Sequence, residues 1–155
     1  MKVKRFALVA MAGAFAFAPL KAQTTAADFS YSPVSPGTWN YRAVTGGSEA
    51  AFVDGAGTTR MVFACGKLTR LVTISRVSAA PAASISLWTS NVTRDLASRF
   101  DEPSGRVISQ VGALDPLLDA IAFSRGRFAV SMPGYPALVL PAGSEVGHVV
   151  EDCRA

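Results

Sequence analysis

Ser124, Arg125 and Arg127 stand together in "AFSRGRFAV" (122–130), a serine beside two guanidinium groups and a glycine. That trio suits a nucleophile in an anion cradle, but a serine nucleophile needs a base to take its proton. The chain has one histidine, His148, and no Ser-x-x-Lys pair. The plainer reading is a junction. Ser124 closes a helix, Gly126 reverses the chain, and both arginines lie over the helix's carbonyl end, where the dipole favours cations.

The remaining chemistry-bearing residues read similarly. His148 falls opposite the apolar stripe of its helix, which predicts an exposed side chain, and a lone histidine does not build a zinc site. No metal, cofactor or catalytic set is expected. The pairs Asp101-Glu102 and Glu151-Asp152 read as solvated surface. A carboxylate-dependent hydrolase would need two of Asp28, Asp54, Asp95 and Asp101 to converge in a cleft. "DGAGTTR" (54–60) lacks the spacing of a phosphate loop and reads as an Asp-Gly hairpin. Trp39, Tyr41 and Trp88 are the aromatic candidates for lining a ligand groove, ordinary sheet packing being the plainer reading, and Arg125 and Arg127 are the polar candidates.

Cys65 and Cys153 are the only cysteines, and in an oxidising compartment they are expected to form a structural disulfide of forced connectivity rather than a reactive thiol or metal ligand. A disulfide between them would close a span of 88 residues.

The elements that must carry these residues are mostly strands. "TWNYRAV" (38–44), "EAAFV" (49–53), "TTRMVFAC" (58–65), "LTRLVTISRV" (68–77) and "SISLWTS" (84–90) alternate or are rich in β-branched residues. So are "NVTRDLASRF" (91–100), taken as one strand, "RVISQVG" (106–112), "RFAVSM" (127–132) and "ALVLP" (137–141). Gly66 and Lys67 predict a tight hairpin, and 133–136 a turn. Asp115-Pro116 is a helix entry, an N-cap carboxylate followed by proline at N1, for a helix running to Ser124. In "SEVGHVVEDC" (144–153), Val146, Val149, Val150 and Cys153 share one helical face. The fold expectation is a mainly β domain, an antiparallel β-sandwich or curled sheet, with two short helices near the C-terminus. The domain spans 38–155, after an extended or mobile lead-in over 23–37.

Residues 1–22 read as an export signal. Lys2, Lys4 and Arg5 precede the apolar stretch "FALVAMAGAFAFA" (6–18), which is too short for an anchored membrane span. Cleavage is expected after Ala22. The chain carries +4 overall. Lys2, Lys4, Arg5 and Lys21 leave with the signal, and the mature part holds equal numbers of acidic and basic residues. The basic character therefore argues for neither nucleic acid nor a membrane surface as partner.

Residues 114–155, "LDPLLDAIAFSRGRFAVSMPGYPALVLPAGSEVGHVVEDCRA", resemble a recurrent ending of small exported bacterial proteins of unassigned function. They are also distantly similar to invasion-associated locus B-type envelope proteins, whose cysteine pattern differs. The resemblance implies an exported β-rich domain and carries over no catalytic residues. The functional expectation is a periplasmic or secreted, non-enzymatic binding module. Its partner would be an envelope protein, a glycan or a small ligand. The alternatives are the hydrolase above, or a periplasmic inhibitor or assembly accessory that inserts a loop into its partner.

Overall fold

Residues 27–155 are described by a computed structural model; the export-signal segment lies outside them. Among the described residues ten strands and two helices follow one another. The strands are β1 (Gly37–Val44), β2 (Gly47–Asp54), β3 (Thr59–Gly66), β4 (Leu71–Val77), β5 (Ser84–Trp88), β6 (Thr93–Ala97), β7 (Arg99–Asp101), β8 (Arg106–Gly112), β9 (Arg127–Met132) and β10 (Tyr135–Pro141). Helix α1 (Pro116–Ala122) separates β8 from β9, and α2 (Ser144–Arg154) follows β10. The strands form two antiparallel sheets, a six-stranded one in the order β1-β2-β3-β4-β8-β7 and a four-stranded one in the order β10-β9-β5-β6. This is the expected mainly β fold with two helices, and neither sheet closes into a barrel.

Alternation decides which face of each strand is buried. Phe52 on β2, Met61 and Phe63 on β3, and Val72 and Ile74 on β4 point inward from the larger sheet. Ile85, Leu87, Phe128 and Val130 meet them from the smaller one. Helix α2 covers the part of the inner face at β1–β3 that the small sheet leaves open. Val146, Val149, Val150 and Cys153 are its buried residues, the stripe read from sequence. Cys65 and Cys153 are bonded, with their Cα atoms 5.4 Å apart. The bond fastens α2 to β3.

Four expectations need correction. Residues 91–100 form two strands that belong to different sheets: β6 pairs with β5, and β7 with β8. The break is Ser98, whose N–H and Oγ donate to the carbonyls of Ala83 and Ala82 at 3.0 and 2.7 Å. Alternation persists through such a bend, so the pattern alone does not show it. The connection after β3 is the four-residue turn 67–70, not a two-residue hairpin. It turns at Arg70, which holds a left-handed φ of 51°. After β9 the turn is only Pro133-Gly134, and Tyr135 and Pro136 already belong to β10. The lead-in is held in place from residue 29 on. Phe29 packs edge-on against Trp88 with ring centres 5.8 Å apart, and Ser35 donates to the carbonyl of Val139 at 2.8 Å.

The junction at 122–130 is as expected in outline and different in detail. Asp115 caps α1, its Oδ1 accepting from the Leu117 N–H at 2.9 Å. Arg94 donates to its other oxygen at 2.7 Å, and this bond is the main cause that holds the Asp115 carboxyl below the usual range. Gly126 turns the chain at φ 73°. Ser124 lies beyond the helix and is buried. Its Oγ donates to the Arg127 carbonyl at 2.5 Å and accepts from the Ser90 N–H at 3.1 Å. Ser90 Oγ in turn accepts from the Arg125 N–H at 3.2 Å. The two serines thus tie the start of β9 to the β5–β6 turn.

Two substitutions test this junction. Gly126→Val is expected to cost about 1–2 kcal/mol, because a side chain there is forced into the left-handed region. From sequence, Ser124→Ala would be nearly silent. Its buried partners now predict a loss of about 1–3 kcal/mol, the penalty for stranding a buried polar group. Urea denaturation of both variants checks this, and a Ser124→Ala midpoint equal to wild type would restore the sequence expectation.

Candidate functional site

The five residues singled out for ligand binding do not gather at one place. Trp39 is a core residue, 9% exposed. Its indole meets Phe52 and Phe63 of the large sheet and Phe128 of the small one, with ring centres 5.3, 5.9 and 6.2 Å away. Its Nε1–H donates to the Pro141 carbonyl at 2.9 Å. Trp88 lies half-buried under Phe29 on the outer side of the small sheet. Arg125 is exposed. Arg127 does not reach the carbonyl end of α1; its Nη1 donates to the Ser32 carbonyl in the lead-in. Arg127 therefore leaves the helix end expected of it, because β9 carries it toward the lead-in.

Tyr41 alone remains at the surface of a concave region. Its hydroxyl donates to Asp152 Oδ2 on α2 at 2.6 Å, and its ring meets the exposed His148 edge-on at 5.7 Å. That hydrogen bond is the leading reason the Asp152 carboxyl sits below its ordinary range and the Tyr41 hydroxyl above its own. The contact fixes the open edge of β1 against α2.

Two concave surfaces flank Tyr41. The first runs between α1 and α2, a cavity of 370 Å³ with Ala122, Gly147 and Val150 among its lining and Phe123 beside them. Asp119 and Arg154 join the helices across it at 2.8 Å, and Arg154 Nε also donates to the Ala113 carbonyl. At the neighbouring end, Arg70 Nη2 donates to the carbonyls of Arg154 and Ala155. The strained turn at Arg70 thereby positions a guanidinium over the carbonyl end of α2, where a cation is favoured.

The second is larger, 690 Å³, and lies on the outer face of the six-stranded sheet. It is lined by Asn40, Arg42, Glu49, Ala51, Val62 and Arg106, with Tyr41 at its rim. Pairing sets Asn40, Ala51, Val62, Ser75 and Ile108 in one row across five strands. The next row holds Arg42, Glu49, Ala64, Thr73 and Gln110. Small side chains in mid-sheet keep the floor low. Arg42 pairs with Glu49 at 2.6 Å on one side. Arg106 lies along the sheet on the other, donating to Ser75 Oγ, the Ser75 carbonyl and the Thr59 carbonyl. Burial pulls the Arg106 guanidinium below its ordinary pKa. This face was not picked out from sequence. The signal was present in the small outward residues Ala51, Ala64 and Ser75 of three successive strands.

The four aspartates of the hydrolase reading sit on four separate elements. Asp28 accepts from Ser30, Asp54 from Ala56 and Thr58, and Asp101 from Ser104, each within its own turn. Asp95 is exposed on β6. Among the described residues no three of His, Cys, Asp and Glu lie close enough to hold a metal ion, and no helix is long and apolar enough to cross a membrane. No protein-family model, curated protein or solved structure matches the chain.

Proposed function

We propose that the chain is an exported bacterial envelope protein that works by binding, and that its binding surface is the outer face of the six-stranded sheet. The observation that carries this reading is the 690 Å³ open trough with its low floor and its arginine-bearing walls. An open, polar-walled surface of this kind suits an extended partner, either another envelope protein or a glycan. Export is supported by the basic-then-apolar N-terminus and by the Cys65–Cys153 bond, since disulfides persist in oxidising compartments. The likeness of residues 114–155 to exported envelope proteins points the same way. A loop-insertion reading has one observation of its own: Leu68, at the tip of the β3–β4 turn, is 98% exposed.

Two measurements test the proposal. Expression in a Gram-negative host, followed by intact-mass analysis, should yield a periplasmic or secreted product beginning at Gln23. An uncleaved cytoplasmic product would end the export reading. A photo-crosslinking residue at Ala51 should capture a partner in the native envelope, while one at Asn91, in the β5–β6 turn, should not. Capture from Leu68 alone would replace the sheet face with the inserted loop, and identical products from Ala51 and Asn91 would refute both.

A further inference from the structure

Arg76 breaks the pattern of its own strand. On β4 it is in phase with Val72 and Ile74, so it points into the space between the sheets, where it is only 5% exposed. Its Nη1 donates to the Val130 carbonyl at 2.7 Å and its Nη2 to the Pro136 carbonyl at 2.6 Å. Both acceptors are neutral, and among the described residues no carboxylate pairs with it. A cation buried without a counter-ion is costly unless something nearby supplies negative charge. Burial, helped by the neighbouring Arg60, pushes Arg76 down to about 10; at neutral pH it is still a cation.

The guanidinium is not sealed off. Arg76 lines a cavity of 380 Å³ at the outer edge of β10, together with Ser35, Arg60, Tyr135, Pro136 and Leu138. No aspartate or glutamate lines this cavity. Arg60 comes no nearer than 3.9 Å to Asp54, whose other oxygen already accepts from the Ala56 and Thr58 N–H groups. The Tyr135 oxygen accepts from the Ala79 N–H at 3.1 Å, which leaves its own proton available to donate. Two arginines and a tyrosine therefore line one cavity, to which Val77, Pro136, Ala137 and Leu138 contribute apolar surface.

We propose that this pocket binds a small organic acid, its carboxylate held by Arg76, Arg60 and the Tyr135 hydroxyl and its carbon body against Pro136 and Leu138. The site is separate from the outer sheet face and does not depend on it. Arg76 also joins the two sheets through its carbonyl contacts, so replacing it risks unfolding the protein. Arg60, half-exposed and bonded to no buried group, is the residue to vary.

The test is a titration of the isotope-labelled mature protein with sodium acetate and with sodium hexanoate, followed by amide NMR at neutral pH and constant ionic strength made up with chloride. Both acids should shift amides at 76–79 and 135–138 saturably. Hexanoate should bind more tightly than acetate by about fivefold or more, as expected from burying one or two methylene groups. Arg60→Gln should weaken both by about fivefold or more, the loss expected of a charge-assisted hydrogen bond. Arg125→Gln, at an exposed arginine by the end of the β9–β10 hairpin opposite Tyr135, should weaken neither. Absence of saturable shifts, shifts centred elsewhere, equal binding of the two acids, or unchanged binding in Arg60→Gln would each overturn the proposal.

Discussion

Trp39→Ala should lower the free energy of unfolding by about 3–5 kcal/mol, the range for truncating a buried aromatic side chain. Three aromatic rings converge on this indole, two from one sheet and one from the other. Its removal opens a void between layers that backbone pairing holds apart, so the site has little freedom to collapse. The Pro141 carbonyl also loses its donor. Trp39→Phe keeps most of the volume and should cost less, about 1–2 kcal/mol, most of it the lost hydrogen bond. Against a total stability of roughly 5–15 kcal/mol for a typical domain, the alanine variant should lose a large share of its stability. Urea denaturation followed by circular dichroism measures both. Near-wild-type stability of Trp39→Ala would instead favour the other reading the sequence left open, a groove-lining aromatic.

Removing the Cys65–Cys153 bond should have an effect of similar size. A cross-link closing 88 residues restrains the unfolded chain by about 4–5 kcal/mol in the chain-entropy description. The double variant Cys65→Ala/Cys153→Ala is the cleaner test, because it leaves no reactive thiol. Its urea midpoint should fall sharply and should not respond to dithiothreitol, whereas that of the wild type should fall to a similar level on reduction. Because the bond fastens α2 to β3, amides of α2 should lose hydrogen-exchange protection before those of β4 or β8. Two free thiols in the exported protein would contradict the structure directly.

Much of this fold could be read from alternation, because most strands bury one face and leave the other to water. The N-cap Asp115-Pro116 and the valine stripe of α2 were legible for the same reason: each is a local pattern with a local cause. What escaped was set by contacts distant in sequence. Trp39 reads identically whether its face looks into a core or a groove, and Phe128, which decides the matter, arrives much later in the chain. Ser98 bends the backbone by bonding to residues that precede β5, so the alternation of 91–100 carried no mark of the change of sheet. Ser124 finds a hydrogen-bond partner in Ser90, in the β5–β6 turn of the sheet that β9 joins. Arg76 is the case where the signal lay in view: an arginine in phase with Val72 and Ile74 is a charge on a buried face. The outer trough needed the strand order before its small residues could be seen as a floor.

The change of sheet at Ser98 is one of several. The chain leaves the large sheet after β4, returns at β7, leaves again after β8, and comes back to cover it as α2. Strand β8 finds its place beside β4 only after the β5–β6 hairpin has been made, and β9 pairs with β5 across the whole of that return. The two layers are therefore interlaced, and no cut in the chain separates one from the other. Six of the eight strand pairings join consecutive strands, and the two that do not, β4–β8 and β5–β9, close the long loops and are expected to form late. The interlacing also makes either sheet alone an unfinished object, with its apolar face bare, so that folding here is expected to be all or nothing.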